Sequence, residues 1–295
     1  MSDFHGGRKK RSYFEGWYFK HQAGENSISL IPGINMNETG KRSAFIQVIT
    51  EDRSWHVPFA FSDFSAAKNK LAVRLGDNVF SSDGVEIQLN GEGIALDGQV
   101  SYGDLTPLVS DIMGPFRFVP FMECHHGVVS LCHNLQGKLC LNGETILLDG
   151  GLGYIEKDWG HSFPKRYVWL QCNDFPGQRC AVIASVANIP FPGFSFTGCI
   201  AVVYVEGKEY RLATYKGVKI LQCHEKGVCL RQGEYCLEVT IVRRDKAQPL
   251  LAPRRGGMAR NIHESPRCRG RFRFSVGQKK LLDFISDNVS FEYVG

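Results

Sequence analysis

Apolar and polar positions alternate along much of this chain in short runs, separated by polar breaks of two to four residues. This is the period-two pattern of β-strands joined by tight turns. Phe45-Ile46-Gln47-Val48-Ile49, Val85 to Leu89 and Tyr235 to Ile241 are such runs, whereas helical periodicity is scarce. Many antiparallel strands must hide their edges, and closure into a barrel or a barrel-like sheet is the usual solution. The pattern predicts an all-β protein with few helices.

The order of runs occurs twice. Trp17 opens a segment that reaches Asn35 after a glycine-containing turn, and Trp169, 152 positions later, opens one that reaches Asn188 after Pro176-Gly177. Phe45 to Ile49, followed by Trp55, is matched 155 positions later by Ile200 to Tyr204, followed by Tyr210. Val85 to Leu89 and Tyr235 to Ile241 continue the series. The repeat predicts two related antiparallel halves, residues 1–150 and 151–295, with a linker near 104–150, where Pro107, Gly114, Pro115 and Pro120 interrupt an apolar run. Leu105 to Met122 is apolar enough to suggest a lid over a pocket, because such loops are seldom left facing solvent.

A chain of 295 residues, 43% of them hydrophobic, can fill two cores. No run reaches the roughly 18 uninterrupted apolar residues of a membrane-spanning helix. The polar, basic start from Met1 to Arg11 leads into no apolar signal core, so the cytoplasm is the expected location. Ten cysteines lack paired short spacings and mostly fall within apolar runs, as do Cys172, Cys180, Cys199 and Cys236, which predicts reduced core thiols.

The net charge of +5 is unevenly placed, since Arg243 to Arg273 holds ten Lys or Arg against Asp245 and Glu264. A strand through this segment would put Arg267, Arg269, Arg271 and Arg273 on one face and Cys268, Gly270, Phe272 and Phe274 on the other. Cross-strand acids would neutralise such a face. Otherwise it would make a peripheral contact with an anionic membrane surface or an acidic partner. Nucleic acid is not expected, because the overall charge is small and no binding motif accompanies the patch.

Two segments concentrate candidate chemistry. In Tyr13-Phe14-Glu15-Gly16-Trp17-Tyr18-Phe19-Lys20, a strand sets Glu15 among Tyr13, Trp17 and Phe19. Burial among rings would raise its pKa and make it a general acid, whereas pairing with Lys20 or Arg11 would make it structural. In Gly153 to Pro164, Glu156 and Asp158 share one face of a strand and Trp159 and His161 the other. The run beyond aligns Tyr167, Trp169, Gln171 and Asn173, an aromatic-plus-amide face suited to a ligand pocket. Internal pairing of Lys157 with Glu156 or Asp158 would equally make a structural corner. Glu123-Cys124-His125-His126 with Cys132 and His133 has thiols and imidazoles at short spacing but no recognised zinc arrangement, and no metal is expected. No Gly-x-Ser-x-Gly elbow or phosphate-cradling glycine motif is present.

Phe14-Glu15-Gly16-Trp17-Tyr18-Phe19-Lys20, Glu156-Lys157-Asp158-Trp159-Gly160, Ser162-Phe163-Pro164 and Trp169-x-Gln171-Cys172-Asn173 resemble the tocopherol cyclase family in order and separation. Met113-Gly114-Pro115-Phe116, Phe121-Met122-Glu123-Cys124 and Met258-Ala259-Arg260-Asn261-Ile262 look like segments of its bacterial members. The resemblance implies two lipocalin-like halves and a cofactor-free ring closure. In that reaction an acid protonates a prenyl-chain double bond, and the neighbouring phenol oxygen attacks the tertiary cation to form a chromanol. It points to Asp158, Glu15 and Glu264 as acids, and to Trp17, Phe19, Trp159, His161, Tyr167, Trp169, Gln171 and Asn173 as contacts of an apolar, isoprenoid-type substrate. Plant members can carry Asn where Asp158 stands. Carotenoid hydratases are related two-domain lipocalin-like proteins, so hydration of an isoprenoid alkene, or carriage of an apolar ligand without catalysis, are the alternatives.

Overall fold

A computed structural model describes residues 4–191 and 193–295, so Met1 to Asp3 of the basic start lie outside the described residues. Twelve strands form one antiparallel sheet: β1 (Tyr13–Ala23), β2 (Asn26–Met36), β3 (Arg42–Thr50), β4 (Ser54–Phe59), β5 (Phe64–Ala66), β6 (Ala72–Leu75), β7 (Asn78–Ser81), β8 (Gly84–Gly91), β9 (Ile94–Tyr102), β10 (Cys124–Leu141), β11 (Glu144–Leu147) and β12 (Leu152–Gly160). Ten form a second: β13 (Tyr167–Cys172), β14 (Cys180–Phe191), β15 (Phe194–Val205), β16 (Lys208–Ala213), β17 (Lys219–His224), β18 (Gly227–Gln232), β19 (Tyr235–Arg244), β20 (Gln248–Arg254), β21 (Gly257–Val276) and β22 (Lys279–Val294). The expected all-β class is the one observed.

The strand orders show the internal repeat. The first sheet runs β4-β3-β2-β1-β12-β10-β9-β8-β7-β6-β5 and the second β16-β15-β14-β13-β22-β21-β19-β18-β17. In each, four consecutive meander strands are followed by the last strand of the set, β12 or β22, and then by a long strand, β10 or β21. Period-two patterning drives each sheet onto its core: in β8, Val85, Ile87 and Leu89 are buried while Glu86, Gln88 and Asn90 are exposed. Val57 of β4 and Val73 of β6 belong to one core, so the first sheet wraps around it, and Tyr210 of β16 and Leu230 of β18 share the second. Among the described residues no ladder joins β4 to β5 or β16 to β17, so the sheets are open, and of the two expected forms the barrel-like sheet is the one observed.

Two compact units result, and neither is a continuous half of the chain. One comprises residues up to Pro107, Cys124–Phe163 and Pro249–Ile262; the other comprises Leu108–Glu123, Pro164–Gln248 and His263–Gly295. The break expected near residue 150 precedes β12, which pairs with both β1 and β10 and is therefore a central strand of the first sheet. Pro249–Ile262 is tied to the first unit by Gln47, whose side chain donates to Leu251 O at 3.0 Å and accepts from Leu251 N at 2.8 Å. Leu108–Glu123 is tied to the second by Arg211, described below.

Candidate active site

Strands β1, β12 and β10 lie side by side, and their register fixes which side chains meet. Glu15, Trp159 and His125 form one row, Gly16, Asp158 and His126 the next, and Trp17, Lys157 and Gly127 the third. Directly opposed residues share a face and successive rows alternate. Glu15, Trp17, Lys157 and Trp159 therefore point to the core side of the sheet, and Gly16, Tyr18, Glu156, Asp158 and His126 to the other.

On the core side, Glu15 is wholly buried and its carboxylate is fully engaged. Lys157 Nζ lies 2.6 Å from Oε1, Tyr13 donates its hydroxyl to Oε2 at 2.7 Å, and the backbone N–H groups of His5 and Gly6 donate at 3.0 and 2.9 Å. Burial alone would raise the Glu15 pKa, but hydrogen bonds from His5 and the charge of Lys157 outweigh it and hold the carboxyl below its usual range. The aromatic setting expected to keep Glu15 protonated is thus corrected by a buried cation, diagonal to it on the adjacent strand, that period-two reasoning did not bring beside it. Lys157 also lies 5.1 Å from the Trp17 ring and 5.2 Å from the Trp159 ring, and Trp159 is stacked between the imidazoles of His5 and His125, at 4.5 and 5.3 Å. Trp17 and Phe19 are wholly buried in the core cluster.

The opposite face carries a chain of titratable groups, two hydrogen bonds joined by one longer charge contact between Glu156 and His126. Tyr154 donates its hydroxyl to Glu156 Oε2 at 2.6 Å; that oxygen lies 3.6 Å from His126 Nε2; and His126 Nδ1 lies 2.8 Å from Asp158 Oδ1. Burial, and then the negative charge of Glu156, push the Tyr154 hydroxyl well above its ordinary pKa, which keeps it a donor. Burial decreases along the chain: Tyr154 is wholly buried, and the side chains of Glu156, His126 and Asp158 are 7%, 11% and 20% exposed. Asp158 is the outlet. Beside it in register stand Gly16 and then Gly33, so no side chain projects from β1 next to the carboxylate. A Cβ at Gly16 would meet only Pro32 O, at 3.7 Å, whereas one at Gly33 would strike the Phe45 ring. The Tyr18 and Tyr154 rings lie edge to face at 6.5 Å on this same side.

His126, Glu156 and Asp158 also offer one nitrogen and two oxygen donors within 4.8 Å of one another, the donor set a divalent cation would use. Sequence reasoning singled out Asp158 but missed His126 and Tyr154 as its partners. The available signal was alternation, which places Tyr154, Glu156 and Asp158 on one face; the pairing of His126 with Asp158 depends on the β10–β12 register.

In the second unit, Tyr167, Trp169, Gln171 and Asn173 are all buried and lie outside the hydrophobic cluster formed by Val168, Leu170 and Cys172. Tyr167 donates to Glu292 Oε2 at 2.5 Å, and Glu292 stands in register between Trp169 and the wholly buried Glu264. Glu264 is therefore grouped with the tyrosine–tryptophan face, with Glu292 as a neighbour that sequence reasoning did not name. His161 follows β12 and its Nδ1 lies 3.2 Å from Ser162 Oγ.

The arginine-rich strand has the predicted alternation, with Cys268, Phe272 and Phe274 buried. Arg269 meets Asp287 at 3.3 Å, Arg271 meets Asp283 at 3.1 Å and Arg273 meets Glu238 at 3.1 Å. Among the described residues, no helix is long and apolar enough to cross a membrane.

Comparison with known proteins places these arrangements in a family. The tocopherol cyclase-like family matches residues 94–294. The probable chloroplastic tocopherol cyclase of Oryza sativa subsp. japonica and the chloroplastic tocopherol cyclase of Zea mays are each 23% identical to this chain over 210 residues, which is 66% of this chain and 44% of each relative. The chain thus spans less than half the length of these relatives. Among solved structures, CghA with Sch210972 has a TM-score of 0.61 at 11% identity, covering 96% of this chain and 88% of that one. Kievitone hydratase from Nectria haematococca has a TM-score of 0.55 at 12% identity, covering 95% and 88%. The structural likeness extends the shared fold over nearly the whole chain, and the family match covers both sheets from β9 to β22, including Glu156-Lys157-Asp158-Trp159-Gly160. The chain belongs to the tocopherol cyclase-like family.

Proposed function

We propose that the protein is a cyclase of prenylated phenols or quinols, with Asp158 as the proton donor. The observation that carries this reading is the graded chain Tyr154–Glu156–His126–Asp158, which ends at a half-buried carboxyl beside a gap at Gly16.

The Asp158 carboxyl gives its proton to the less substituted carbon of the prenyl double bond, leaving a tertiary cation. The phenol oxygen attacks that cation, the C–O bond closes the ring, and the phenolic proton returns to Asp158. The reaction is an isomerisation and consumes nothing. His126, hydrogen-bonded to Asp158 and backed by Glu156, supports the charge change at the carboxylate while the cation exists. A positioned acid contributes typically ~10² to 10⁴ in rate. The Tyr18 and Tyr154 rings supply π faces on the same side of the sheet, and a cation over such a face gains ~2 kcal/mol or more when desolvated. Exclusion of water favours ring closure over hydration. The proposed setting is the cytoplasm, with an isoprenoid-type substrate.

Incubation with a reduced prenylquinol, followed by mass spectrometry, tests the reading. A chromanol isomeric with the substrate supports it. Ligand recovered unchanged from the protein would make the chain a carrier, and a product heavier by one water would make it a hydratase.

A further inference from the structure

Two segments of the second unit gather phenylalanines at its surface. Leu108–Glu123 is clamped by Arg211, whose Nη1 donates to Ser110 Oγ at 2.9 Å and Asp111 O at 2.7 Å while Nη2 donates to Ser110 O at 2.7 Å; Tyr215 donates to Ile112 O at 2.9 Å. Gly114 turns this segment at φ +54°, where a Cβ would lie 2.6 Å from the Tyr215 ring, so only glycine fits. The second segment is the β14–β15 hairpin, whose final pair is Phe191 with Phe194. The two share an aromatic base: Phe116 lies 5.9 Å from Phe196, and Phe121 lies 5.1 Å from Phe191.

On this fixed base the outer rings face solvent, Phe118 at 72%, Phe194 at 59% and Phe121 at 46% exposure. Phe121 and Phe194 are joined through Phe191, and Phe118 follows Phe116 on the same short segment; exposed rings gathered in this way mark an interaction surface. Its charge is one-sided. No Asp or Glu occurs between Asp111 and Glu123 or between Asp174 and Glu206. The Arg117 guanidinium sits 4.4 Å over the Phe118 ring, and its acidic neighbour Asp111 has a buried side chain. Lys165 and Arg166 are exposed where Arg166 O accepts from Asn188 N of the hairpin at 2.9 Å. Aromatic tips beside exposed cations, with the Asp111 carboxylate buried, match a bilayer interface, where rings sit at headgroup level and cations meet lipid phosphates. A second copy of the same patch would instead bring like charges together.

We propose that this surface docks the protein on an anionic lipid bilayer, with Phe118, Phe121 and Phe194 inserted among the headgroups. The proposal is independent of the chemistry at Asp158. Arg269, Arg271 and Arg273 of β21 differ from it in being matched to carboxylates across the sheet.

Sedimentation with phosphatidylcholine vesicles, and with vesicles containing one part phosphatidylserine to three of phosphatidylcholine, tests it. The expected result is binding to the anionic vesicles at least tenfold tighter than to neutral ones. Substituting Phe118→Ser, Phe121→Ser and Phe194→Ser together should weaken that binding at least tenfold. Arg117→Glu with Lys165→Glu, a surface change that leaves the aromatic base intact, should do the same and abolish the preference for anionic lipid. Wild-type protein left in the supernatant with both vesicles, or both variants binding like the wild type, would overturn the proposal. So would a dimer in light scattering that the triple variant dissociates, which would assign the patch to a second copy.

Discussion

Lys157 and Glu15, diagonal neighbours on adjacent strands and both wholly buried, form an ion pair of 2.6 Å inside the first core. Removing one partner leaves the other charge buried and uncompensated, which costs about 3–5 kcal/mol, whereas replacing both by apolar groups of similar volume can be neutral. Glu15→Gln and Lys157→Met should each lower stability strongly in urea unfolding, and the double variant should lose less than the two losses added. Glu15→Gln protein that remains folded should keep its turnover, because the carboxylate is committed to Lys157, Tyr13 and the His5 backbone. Independent, additive losses would contradict the pairing.

Two buried histidines set the acid limit of the same unit. His21 Nε2 lies 2.6 Å from the Tyr102 hydroxyl, and the Tyr102 ring packs 4.5 Å from that of His133. Burial lowers the pKa of His21 to about 4; burial, and then His21, lower that of His133 to about 3. Below the ordinary histidine value of about 6.5, the unfolded chain takes up protons that the folded chain refuses. Stability should therefore be flat above neutral pH and fall from about pH 6.5 towards 4, by about 1.4 kcal/mol per pH unit for each histidine. His133→Gln should reduce that slope. Equal urea midpoints at pH 7.5 and 5 would contradict it.

Gly16 leaves the space beside Asp158. Its Cβ position is open and its neighbour in register on β12 is Asp158 itself, so Gly16→Leu should fold but obstruct the carboxyl. Turnover should fall at least tenfold with little change in thermal midpoint, while Gly16→Ala remains close to wild type. A leucine variant with full activity would place the substrate elsewhere.

All ten cysteines are free thiols; Cys223 is exposed and the other nine are buried or half-buried. Brief alkylation of native protein should label Cys223 first, and alkylation after unfolding without reductant should label all ten. A shortfall in the unfolded protein would reveal a disulfide.

The fold was legible because strand alternation is a local signal. It correctly placed Glu15 with Trp17, Glu156 with Asp158, and Arg269 with Arg271. The repeat was legible in outline but not in register: Trp17 lies in its core, whereas Trp169, 152 positions on, lies outside the corresponding cluster, so matching tryptophan to tryptophan slips one residue and reverses the face. Similarly, Val85 to Leu89 lies on β8, which corresponds by sheet order to β18, whereas Tyr235 to Ile241 lies on β19. The charge partners were hidden for the same reason. Lys157 opposite Trp17, His126 opposite Asp158 and Glu292 opposite Glu264 are cross-strand facts between segments distant in sequence, and no local periodicity contains them.

The central claim is that Asp158 protonates a carbon atom, and this can be read directly in the product. Turnover of a prenylquinol in heavy water should place one non-exchangeable deuterium on the ring carbon beside the new ether-bearing carbon, and Asp158→Asn should lower the rate of that incorporation by about 10² to 10⁴. Chromanol formed without deuterium, or formed at an undiminished rate by Asp158→Asn, would contradict the account.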